Sequence, residues 1–587
     1  MRRITFFITI VSILLLFLGC KKSNNDSTAR FSSFSYSSQD SRYSAQEAIN
    51  PDSFYINPIL AGCYPDPSIC RKGDDYYLVN STFVYYPGIP IWHSTDLVNW
   101  EHIRYVLDRP SQLSFPAGIS ISSGIYAPAI SYNPHNDTFY LIVTGVGNGG
   151  NFIVKTDDPS KDWSDPIFVP EVGGIDPSLF FDNDGRAYIV NNDAPAGVPE
   201  YDGHRAIWIH EFDVATDKVI GQSKLLIDKG VVPSDKPIWI EAPHIHRVND
   251  VYYLIAAEGG TAENHSEVVF VSNNPKGPYK PCPVNPILTQ RNLDPDRPFP
   301  ITCTGHADII QTPEGDWWAV FLGVLPYERD KYSNTGRSTF LLPVKWENGQ
   351  PIILDNGLTV PTFVEKPKPT PTTTKTYGNF SYTDNFDSGK DLKWMTLRSP
   401  GDEWNRIING TLEIDKRDVS LSDIATPSFL CQWIKHSVFT ATTTLEFTPD
   451  TIQDLAGLAC YMNENFYFAV GKSMDENGDA CVKLISRANN RANRQELENE
   501  SVVKAVSPLT KIQSTKPIHL KVEANGRDYT FFYSFDGKKW LQIGETLDGT
   551  NLSISVAGGF TGAVVGLFAS SSINPKPTER RFRRNIQ

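Results

Sequence analysis

Five stretches in the first two thirds of the chain repeat one pattern of hydrophobic and polar positions. Each has Pro or Ala near its start, then an aliphatic residue, a polar turn and a strand rich in aromatic residues. They begin at Asp66, Ala127, Asp176, Ala242 and His306, which leaves room for a four-stranded sheet from each start to the next. Radial repetition of such sheets predicts a β-propeller with five blades. A β-sandwich would also show alternating strands, but it does not require one recurring hairpin with the same opening residues.

The pattern changes near residue 380, where longer stretches alternate strictly between apolar and polar residues. Such alternation is typical of antiparallel sheets with one solvated face and predicts a lectin-like, concanavalin-type β-sandwich. The segment 361–379 is rich in Pro and Thr and shows no alternation, so it is expected to be an extended linker or strap. The expected organisation is therefore all-β, with a propeller over 51–360, a linker over 361–379 and a sandwich over 380–587.

The N-terminus has the pattern of an export signal. Two arginines precede an uncharged apolar run over 4–19, which is short for a helix that spans a bilayer. The run ends before Cys20 and resembles a bacterial lipoprotein signal, in which residues 1–19 are removed and Cys20 carries the lipid. The polar, Ser-rich segment 20–50 is then expected to be a flexible tether to a membrane. The alternative is an ordinary signal peptide followed by an incidental cysteine.

Composition and charge narrow the function classes. The chain has 12 Trp, 25 Tyr and 32 Phe but only 4 Met, and 41 Gly and 42 Pro favour short strands joined by tight turns. A formal net charge of −13 has the wrong sign for a surface that follows phosphates, so nucleic acid is excluded as an expected partner. Seven cysteines remain after Cys20, and their odd number and spacing predict buried core residues rather than disulfides or zinc ligands.

The repeats also predict which residues meet in space. Innermost propeller strands run along one axis, so equivalent positions of different blades converge at one end of the channel. Asp66, Asp176, His306 and Glu241, which directly precedes Ala242, are therefore expected to surround one pocket. A single Asp-Pro is more often a turn than a catalytic site, but clustered carboxylates raise each other's pKa values and are seldom kept without a use. Glycoside hydrolysis needs a few carboxylates and no cofactor.

Seven ordered motifs resemble family 43 glycoside hydrolases, which include β-xylosidases and α-L-arabinofuranosidases. They are NPILAGCYPDPSI (57–69), STFVYYPGIPIWHSTDLVNW (81–100), GIYAPAI (124–130), GIDPSLF (174–180), WIEAPHIH (239–246), TGHADII (304–310) and GRSTFLLPVKW (336–346). The resemblance implies that Asp66 is the general base, Glu241 the general acid and Asp176 the residue that orients the acid and raises its pKa. It also implies inversion of configuration, with the base and the acid about 6.5–9.5 Å apart.

The same resemblance assigns the walls of a sugar pocket. Arg337 matches a residue that hydrogen-bonds the sugar, and His306 one that faces water or a calcium ion in the channel. Phe83, Tyr126 (where Trp is usual) and Thr261 match wall positions. Phe560, in the sandwich motif GGFTGAVVGLFA (558–569), matches a residue that reaches into the propeller. For the aromatic residues the alternative is core packing, and for His306 it is a hydrogen bond to buried backbone. His204 and Arg205 lie in a segment that borders the pocket in similar enzymes.

The sequence thus supports an exported, exo-acting and inverting glycosidase that releases terminal pentoses from plant oligosaccharides. β-Xylosidase is the first hypothesis and α-L-arabinofuranosidase the alternative, because the two sugars place their hydroxyls similarly. An endo-arabinanase is disfavoured, since the appended sandwich would close the pocket. The competing class is a surface lipoprotein that binds glycans without cleaving them. No cofactor is required for hydrolysis, and the oligomeric state is left open.

Overall fold

The structure is a computed structural model that describes residues 27–328, 331–373, 376–398, 403–488 and 501–574. The predicted signal peptide and Cys20 lie outside these residues. None of the helices within the described ranges is long and apolar enough to cross a membrane.

The first described segment belongs to the C-terminal domain. Strand β1 (Thr28–Ser38) pairs with three strands of the larger sandwich sheet, and Phe31 and Phe34 are fully buried there. The prediction of a flexible tether over 20–50 is therefore wrong for this segment. The Ser-rich composition hid alternation of buried aromatic and exposed polar residues, which is the pattern of a half-buried strand. Two 3-10 turns, Ser41–Tyr43 and Gln46–Ala48, lead to β2 (Phe54–Ile56).

Five sheets, each with four strands in sequence order and a fifth added in one case, form the blades of a propeller. Blade I contains β3 (Ser68–Lys72), β4 (Asp75–Val79), β6 (Gly88–Ser94) and β7 (Glu101–Leu107), with β5 (Tyr85–Tyr86) in the loop before β6; blade II contains β8 (Gly124–Asn133), β9 (Thr138–Val146), β10 (Gly150–Thr156) and β11 (Ile167–Phe168); blade III contains β12 (Ile175–Phe181), β13 (Ala187–Asp193), β14 (Ala206–Asp213) and β15 (Lys218–Asp228); blade IV contains β16 (Glu241–Val248), β17 (Val251–Glu258), β18 (Ser266–Ser272), β19 (Lys280–Pro281) and β20 (Leu288–Thr289); blade V contains β21 (Thr302–Gln311), β22 (Trp317–Val324), β23 (Arg337–Glu347) and β24 (Gln350–Ile352). A 3-10 turn, Pro233–Asp235, precedes blade IV.

The segment that was expected to be a linker is attached to the propeller. Strand β25 (Phe363–Glu365) pairs with β2, and Thr370 and Thr373 hydrogen-bond to the Asp96–Asn99 turn of blade I. Over its described residues, this segment is therefore a strap packed on the propeller rather than a free linker.

The C-terminal strands form two packed sheets. They are β26 (Ser381–Asp384), β27 (Met395–Leu397), β28 (Asn405–Ile408), β29 (Thr411–Asp415), β30 (Phe429–Trp433), β31 (Val438–Glu446), β32 (Leu455–Asn463), β33 (Phe466–Met474), β34 (Ala480–Ala488), β35 (Val502–Pro508), β36 (Ile518–Asn525), β37 (Asp528–Ser534), β38 (Leu541–Gln542), β39 (Leu547–Asp548) and β40 (Val564–Ser570). Short helices are α1 (Lys511–Ser514), the 3-10 turn Gly549–Leu552 and α2 (Ile554–Ala557). The prediction of a five-bladed propeller followed by a β-sandwich is confirmed.

The two domains share a hydrophobic core. Strand β5 of the propeller pairs with β27 and extends one sandwich sheet to eight strands. Phe83 and Tyr85 pack in one cluster with Met395, Phe429 and Trp433 of the sandwich. Because this core surrounds the loop that carries Phe83, the sandwich fixes one wall of the propeller pocket. Six of the seven predicted core cysteines, all except Cys303, are buried.

Candidate active site

The five repeat starts share an unusual backbone conformation. Asp66, Ala127, Asp176, Ala242 and His306 all have positive φ, at 54°, 38°, 53°, 51° and 52°. In blades II to V the pairing between the first and second strands shifts register at this point, which is a β-bulge. Bulges re-aim side chains beside functional sites, and left-handed backbone is costly for residues other than glycine. The repetition found in the sequence therefore marks five equivalent bends at one end of the channel.

Asp66 is buried and held by two strong hydrogen bonds. Its Oδ1 accepts from Nη1 of Arg337 at 2.8 Å, and its Oδ2 accepts from the Ser81 hydroxyl at 2.6 Å. Burial alone would raise the pKa of Asp66, but the positive charge of Arg337, with contributions from His306 and Ser81, outweighs it and lowers the pKa below its usual range. Asp66 is therefore an ionised carboxylate at neutral pH, as a general base must be.

Asp176 and Glu241 have the opposite electrostatic character. Burial, and then the charge of Asp66, raises the pKa of Asp176 to about 7. Burial, followed by the charges of Asp176 and Asp66, raises the pKa of Glu241 well above its ordinary value. The three acids thus lie close enough to perturb each other, and Glu241 keeps its proton at a pH where Asp66 has lost its own. Two carboxyl groups with separated pKa values are what general acid–base chemistry requires.

His306 lies beside Asp66, with its Nδ1 3.6 Å from Asp66 Oδ1. Burial lowers the pKa of His306 to about 3, so the ring is neutral and acts as a polar neighbour rather than a cation. The residues around it do not fit a metal ion held by protein ligands, because no group of three or more His, Cys, Asp or Glu side chains within the described ranges is arranged to hold one.

Three aromatic rings line the approach to Arg337. Phe83 and Tyr126 meet edge to face with ring centroids 5.4 Å apart, and Tyr126 meets Phe560 in the same way at 6.1 Å. The Arg337 guanidinium lies 6.0 Å from the Phe83 ring centroid and 5.9 Å from that of Phe560. Phe560 comes from the sandwich, and its backbone N–H donates to the Ser122 hydroxyl of the propeller at 3.1 Å. The structure therefore brings Phe83, Tyr126 and Phe560 together beside Arg337, and Phe83, which is 1% exposed, also belongs to the core that the two domains share.

Thr261 belongs to the loop between β17 and β18. It is exposed and, with Arg337 and Phe560, lines a cavity of about 260 Å³ between the two domains. None of the three acids lines this cavity, which therefore lies beside them, on the side of Arg337 and Phe560.

His204 and Arg205 have different surroundings. His204 is buried, and its Nε2 bonds to Asp228 Oδ1 at 2.8 Å, so it supports the loop rather than facing the pocket. Arg205 stacks on the Trp239 ring at 4.2 Å, and its charge lowers the pKa of Glu241. Of the two, only Arg205 lies close enough to the acids to influence them.

Sequence reasoning missed Ser81. Its hydroxyl donates to Asp66 and accepts from the backbone N–H of Ala127 at 2.6 Å, so it ties the base to the next blade. It also missed Asp308, two residues after His306, which accepts from the Ser68 hydroxyl at 2.9 Å and lies 3.7 Å from His244 Nδ1. Ser68, His244 and Asp308 all follow a repeat start by two residues, so the register that aligned the starts could have identified this deeper polar layer.

Comparison with protein families gives two matches. Residues 55–351 match glycosyl hydrolases family 43, and residues 383–582 match the β-xylosidase C-terminal concanavalin A-like domain. Among curated proteins, a xylosidase/arabinosidase from Butyrivibrio fibrisolvens is 34% identical over 88% of this chain and 96% of its own. A non-reducing-end α-L-arabinofuranosidase from Bacteroides ovatus is 32% identical over 88% and 92%. A β-xylosidase from Bacillus subtilis is 32% identical over 90% and 98%.

Solved structures agree with these matches. The crystal structure described as a GH43_12 retrieved from capybara gut metagenome superposes with a TM-score of 0.84 at 41% identity, covering 92% of this chain and 99% of its own. The xylan β-1,4-xylosidase from Bacillus halodurans superposes with a TM-score of 0.76 at 30% identity, covering 88% and 96%. With both domains matched along nearly their whole length, this chain belongs to glycoside hydrolase family 43 and is a glycosidase.

Proposed function

We propose that this glycosidase is an exo-acting, inverting enzyme that releases terminal pentoses from plant cell-wall oligosaccharides, with β-xylosidase as its main activity. The observation that carries the proposal is the separation of pKa values between Asp66, which is held ionised by Arg337, and Glu241, which is held protonated by burial and by Asp176. This is the division of labour that inverting hydrolysis needs.

In the proposed reaction, the Asp66 carboxylate takes a proton from a water molecule as that water attacks the anomeric carbon. The Glu241 carboxylic acid gives its proton to the glycosidic oxygen as the bond to the leaving group breaks. Asp176 keeps the proton on Glu241 until then, because a second negative charge in the buried site disfavours ionisation of its neighbour. Arg337 both holds Asp66 and offers donors to the sugar hydroxyls.

The proposal for substrate rests on the pocket and on the relatives. Phe83, Tyr126 and Phe560 provide apolar rings beside Arg337, and the apolar face of a terminal pentose can pack on such rings. Relatives of this length are named β-xylosidase, xylosidase/arabinosidase and α-L-arabinofuranosidase. α-L-Arabinofuranosidase is therefore the second candidate, and the Tyr126 position, where Trp is usual, is the feature of this pocket that favours testing it.

Steady-state kinetics on 4-nitrophenyl β-D-xyloside and 4-nitrophenyl α-L-arabinofuranoside test the choice. We expect a higher kcat/KM on the xyloside, and activity confined to the arabinoside would reverse the order. Proton NMR of the first product should show the α-anomer of xylose, since inversion of a β-xyloside yields it; initial release of the β-anomer would contradict the roles given to Asp66 and Glu241.

Two variants separate hydrolysis from mere binding. Glu241→Gln and Asp66→Ala should each lose several orders of magnitude in kcat on an unactivated disaccharide while still binding xylose. Full turnover by Glu241→Gln would remove the catalytic assignment. If the unaltered enzyme bound sugars and cleaved none of them, the non-catalytic glycan-binding alternative would be correct.

We further propose that the protein is exported and anchored to a membrane through lipid on Cys20. The support is the apolar run over 4–19 and the cysteine that follows it. Metabolic labelling with a radioactive fatty acid should label the full-length protein but not its Cys20→Ala variant; equal labelling of both would exclude lipidation at Cys20.

A further inference from the structure

A second cavity lies between blade I and the sandwich, apart from the catalytic acids. Its volume is about 560 Å³, within the usual range for a small-molecule site. Tyr64, Trp92 and His102 line it from the propeller, and Phe380, Tyr382 and Lys435 line it from the sandwich. It shares no lining residue with the smaller cavity beside Arg337. The wall is thus aromatic on both sides, which is the kind of surface on which sugar rings pack.

Two ring nitrogens in this wall have no hydrogen-bond partner. Trp92 is 6% exposed, and its buried Nε1–H donates to no described atom. His102 Nε2 is also buried without a partner. Burial lowers the pKa of His102 to about 4, so the ring is neutral, and Nε2 is an acceptor in the tautomer that carries its proton on Nδ1. One unpaired donor and one unpaired acceptor in the same wall match a hydroxyl group, which can satisfy both.

The cavity also has an unbalanced cation. Lys435 stacks on Phe380 at 5.6 Å and on Tyr382 at 5.3 Å, and forms no ion pair within the part of the chain that the structure describes. The lining contains Lys390 and Lys393 as well, against two carboxylates, Glu101 and Asp391. Asp391 is already paired with Lys393 at 2.6 Å. Burial, and then the charge of Lys393, lowers the pKa of Lys435 to about 7, and a ligand carboxylate beside Lys435 would favour its charged form.

We propose that this interdomain cavity, lined by Tyr64, Trp92, His102, Phe380, Tyr382 and Lys435, is a second carbohydrate site that binds a uronic acid residue of an oligosaccharide. The carboxylate pairs with Lys435, a ring hydroxyl bridges Trp92 Nε1 and His102 Nε2, and the C–H face of the sugar packs on the aromatic rings. Neutral sugars lack the carboxylate that pairs with Lys435. Inorganic anions lack the ring hydroxyl and the C–H face. The site does not depend on the substrate that the catalytic pocket accepts.

Isothermal titration calorimetry on the full chain tests the proposal. D-Glucuronate is titrated into protein saturated with D-xylose, which fills the catalytic pocket, and D-glucose and acetate are titrated separately. D-Glucose has the same ring as D-glucuronate without the carboxylate, and acetate has the carboxylate without the ring. We expect D-glucuronate to bind at one site with a Kd at least tenfold lower than that of either control. Equal binding of D-glucose, or equal binding of acetate, would overturn the proposal.

Variants locate the site. Lys435→Met keeps the aliphatic stem and removes the charge, and it should weaken D-glucuronate binding at least tenfold. Trp92→Phe removes the donor and keeps an aromatic ring, and it should weaken binding several-fold. The matched control is Lys521→Met, because Lys521 also stacks on two rings, Phe532 and Trp540, but lines no part of this cavity. If Lys435→Met does not fold, Trp92→Phe decides. Unchanged affinity in a folded Lys435→Met or Trp92→Phe variant would place the ligand elsewhere and refute the assignment.

Discussion

Replacing Arg337 by Met should raise the pKa of Asp66 and move the acid limb of the pH–activity profile upward. The two side chains form a hydrogen-bonded ion pair at 2.8 Å, and each residue is 6% exposed. Arg337 is the largest of the influences that lower the pKa of Asp66, and burial opposes it. Once the guanidinium is removed, burial prevails and the carboxylate becomes harder to ionise.

The magnitude follows from the separation and the burial. An opposite charge within about 4–6 Å lowers the pKa of a carboxyl group by roughly 1–3 units, which corresponds to about 1.4–4 kcal/mol. The acid limb of kcat/KM, which reports the free enzyme, should therefore move up by about 1–3 pH units. Because a buried ion pair is broken, the free energy of unfolding at neutral pH should also fall by about 3–5 kcal/mol.

The assay is kcat/KM on 4-nitrophenyl β-D-xyloside from pH 3 to pH 8, with chemical denaturation of the same samples. Because Arg337 is proposed to donate to the sugar hydroxyls, KM should rise at every pH, and only the midpoint of the acid limb reports Asp66. The matched control is Arg398→Met, which breaks an equally buried pair with Glu464 at 2.6 Å in the sandwich. The control should lose stability without moving the limb. An unmoved acid limb in folded Arg337→Met would refute the electrostatic role given to this pair.

Three further predictions concern stability, each measured by chemical denaturation. Because folding raises the pKa of Glu241, its contribution to stability is greatest at low pH and is lost as pH rises from about 4.5 through the raised value. The gain of Glu241→Gln over the unaltered protein should therefore grow from pH 5 to pH 8, and a constant difference would contradict the raised pKa. Gly174→Ala should cost about 3 kcal/mol or more, since φ is +61° and the new Cβ would collide with the backbone oxygen of Asn192. Gly185→Ala in the same blade has open space and should cost about 1 kcal/mol, and similar costs for the two variants would show that the close approach is absent. Phe34→Ala should cost about 3–5 kcal/mol and the exposed Ser32→Ala less than about 0.5 kcal/mol, and a neutral Phe34→Ala would restore the tether interpretation of this segment.

The propeller could be predicted because its pattern is local. Each blade begins with the same short hairpin, and the spacing of the five hairpins is readable without any knowledge of contacts between them. The common register then placed Asp66, Asp176 and His306 at equivalent bends, and the structure shows the same left-handed backbone at each of them. A sequence pattern that recurs five times along one chain can be recognised even when a single copy of it is not specific.

The residues and strands that support the site from elsewhere in the chain could not be predicted from this local pattern. Ser81 holds Asp66 and the next blade together, and although it opens the motif 81–100, the sequence does not show which residues its hydroxyl contacts. Strand β1 was missed because its serines suggested a tether, while its partner strands, β29 and β31, lie about 400 residues later. Pairing over such distances depends on where the two domains pack, which composition does not encode.

The sequence by itself therefore determined the number of blades, the sandwich that follows them, and the three carboxylates that meet in the channel, because periodicity and equivalent positions are properties of the chain alone. Only the tertiary structure decided the electrostatic state of those carboxylates. Arg337 lowers the pKa of Asp66 although it lies 271 residues later in the chain, on blade V, while burial raises the pKa values of Asp176 and Glu241. The domain contact likewise decided how Phe560 faces Arg337 and how the Lys435 cavity is enclosed. Burial and the distance between charges arise only when distant segments pack together, so these features were not visible in the order of residues.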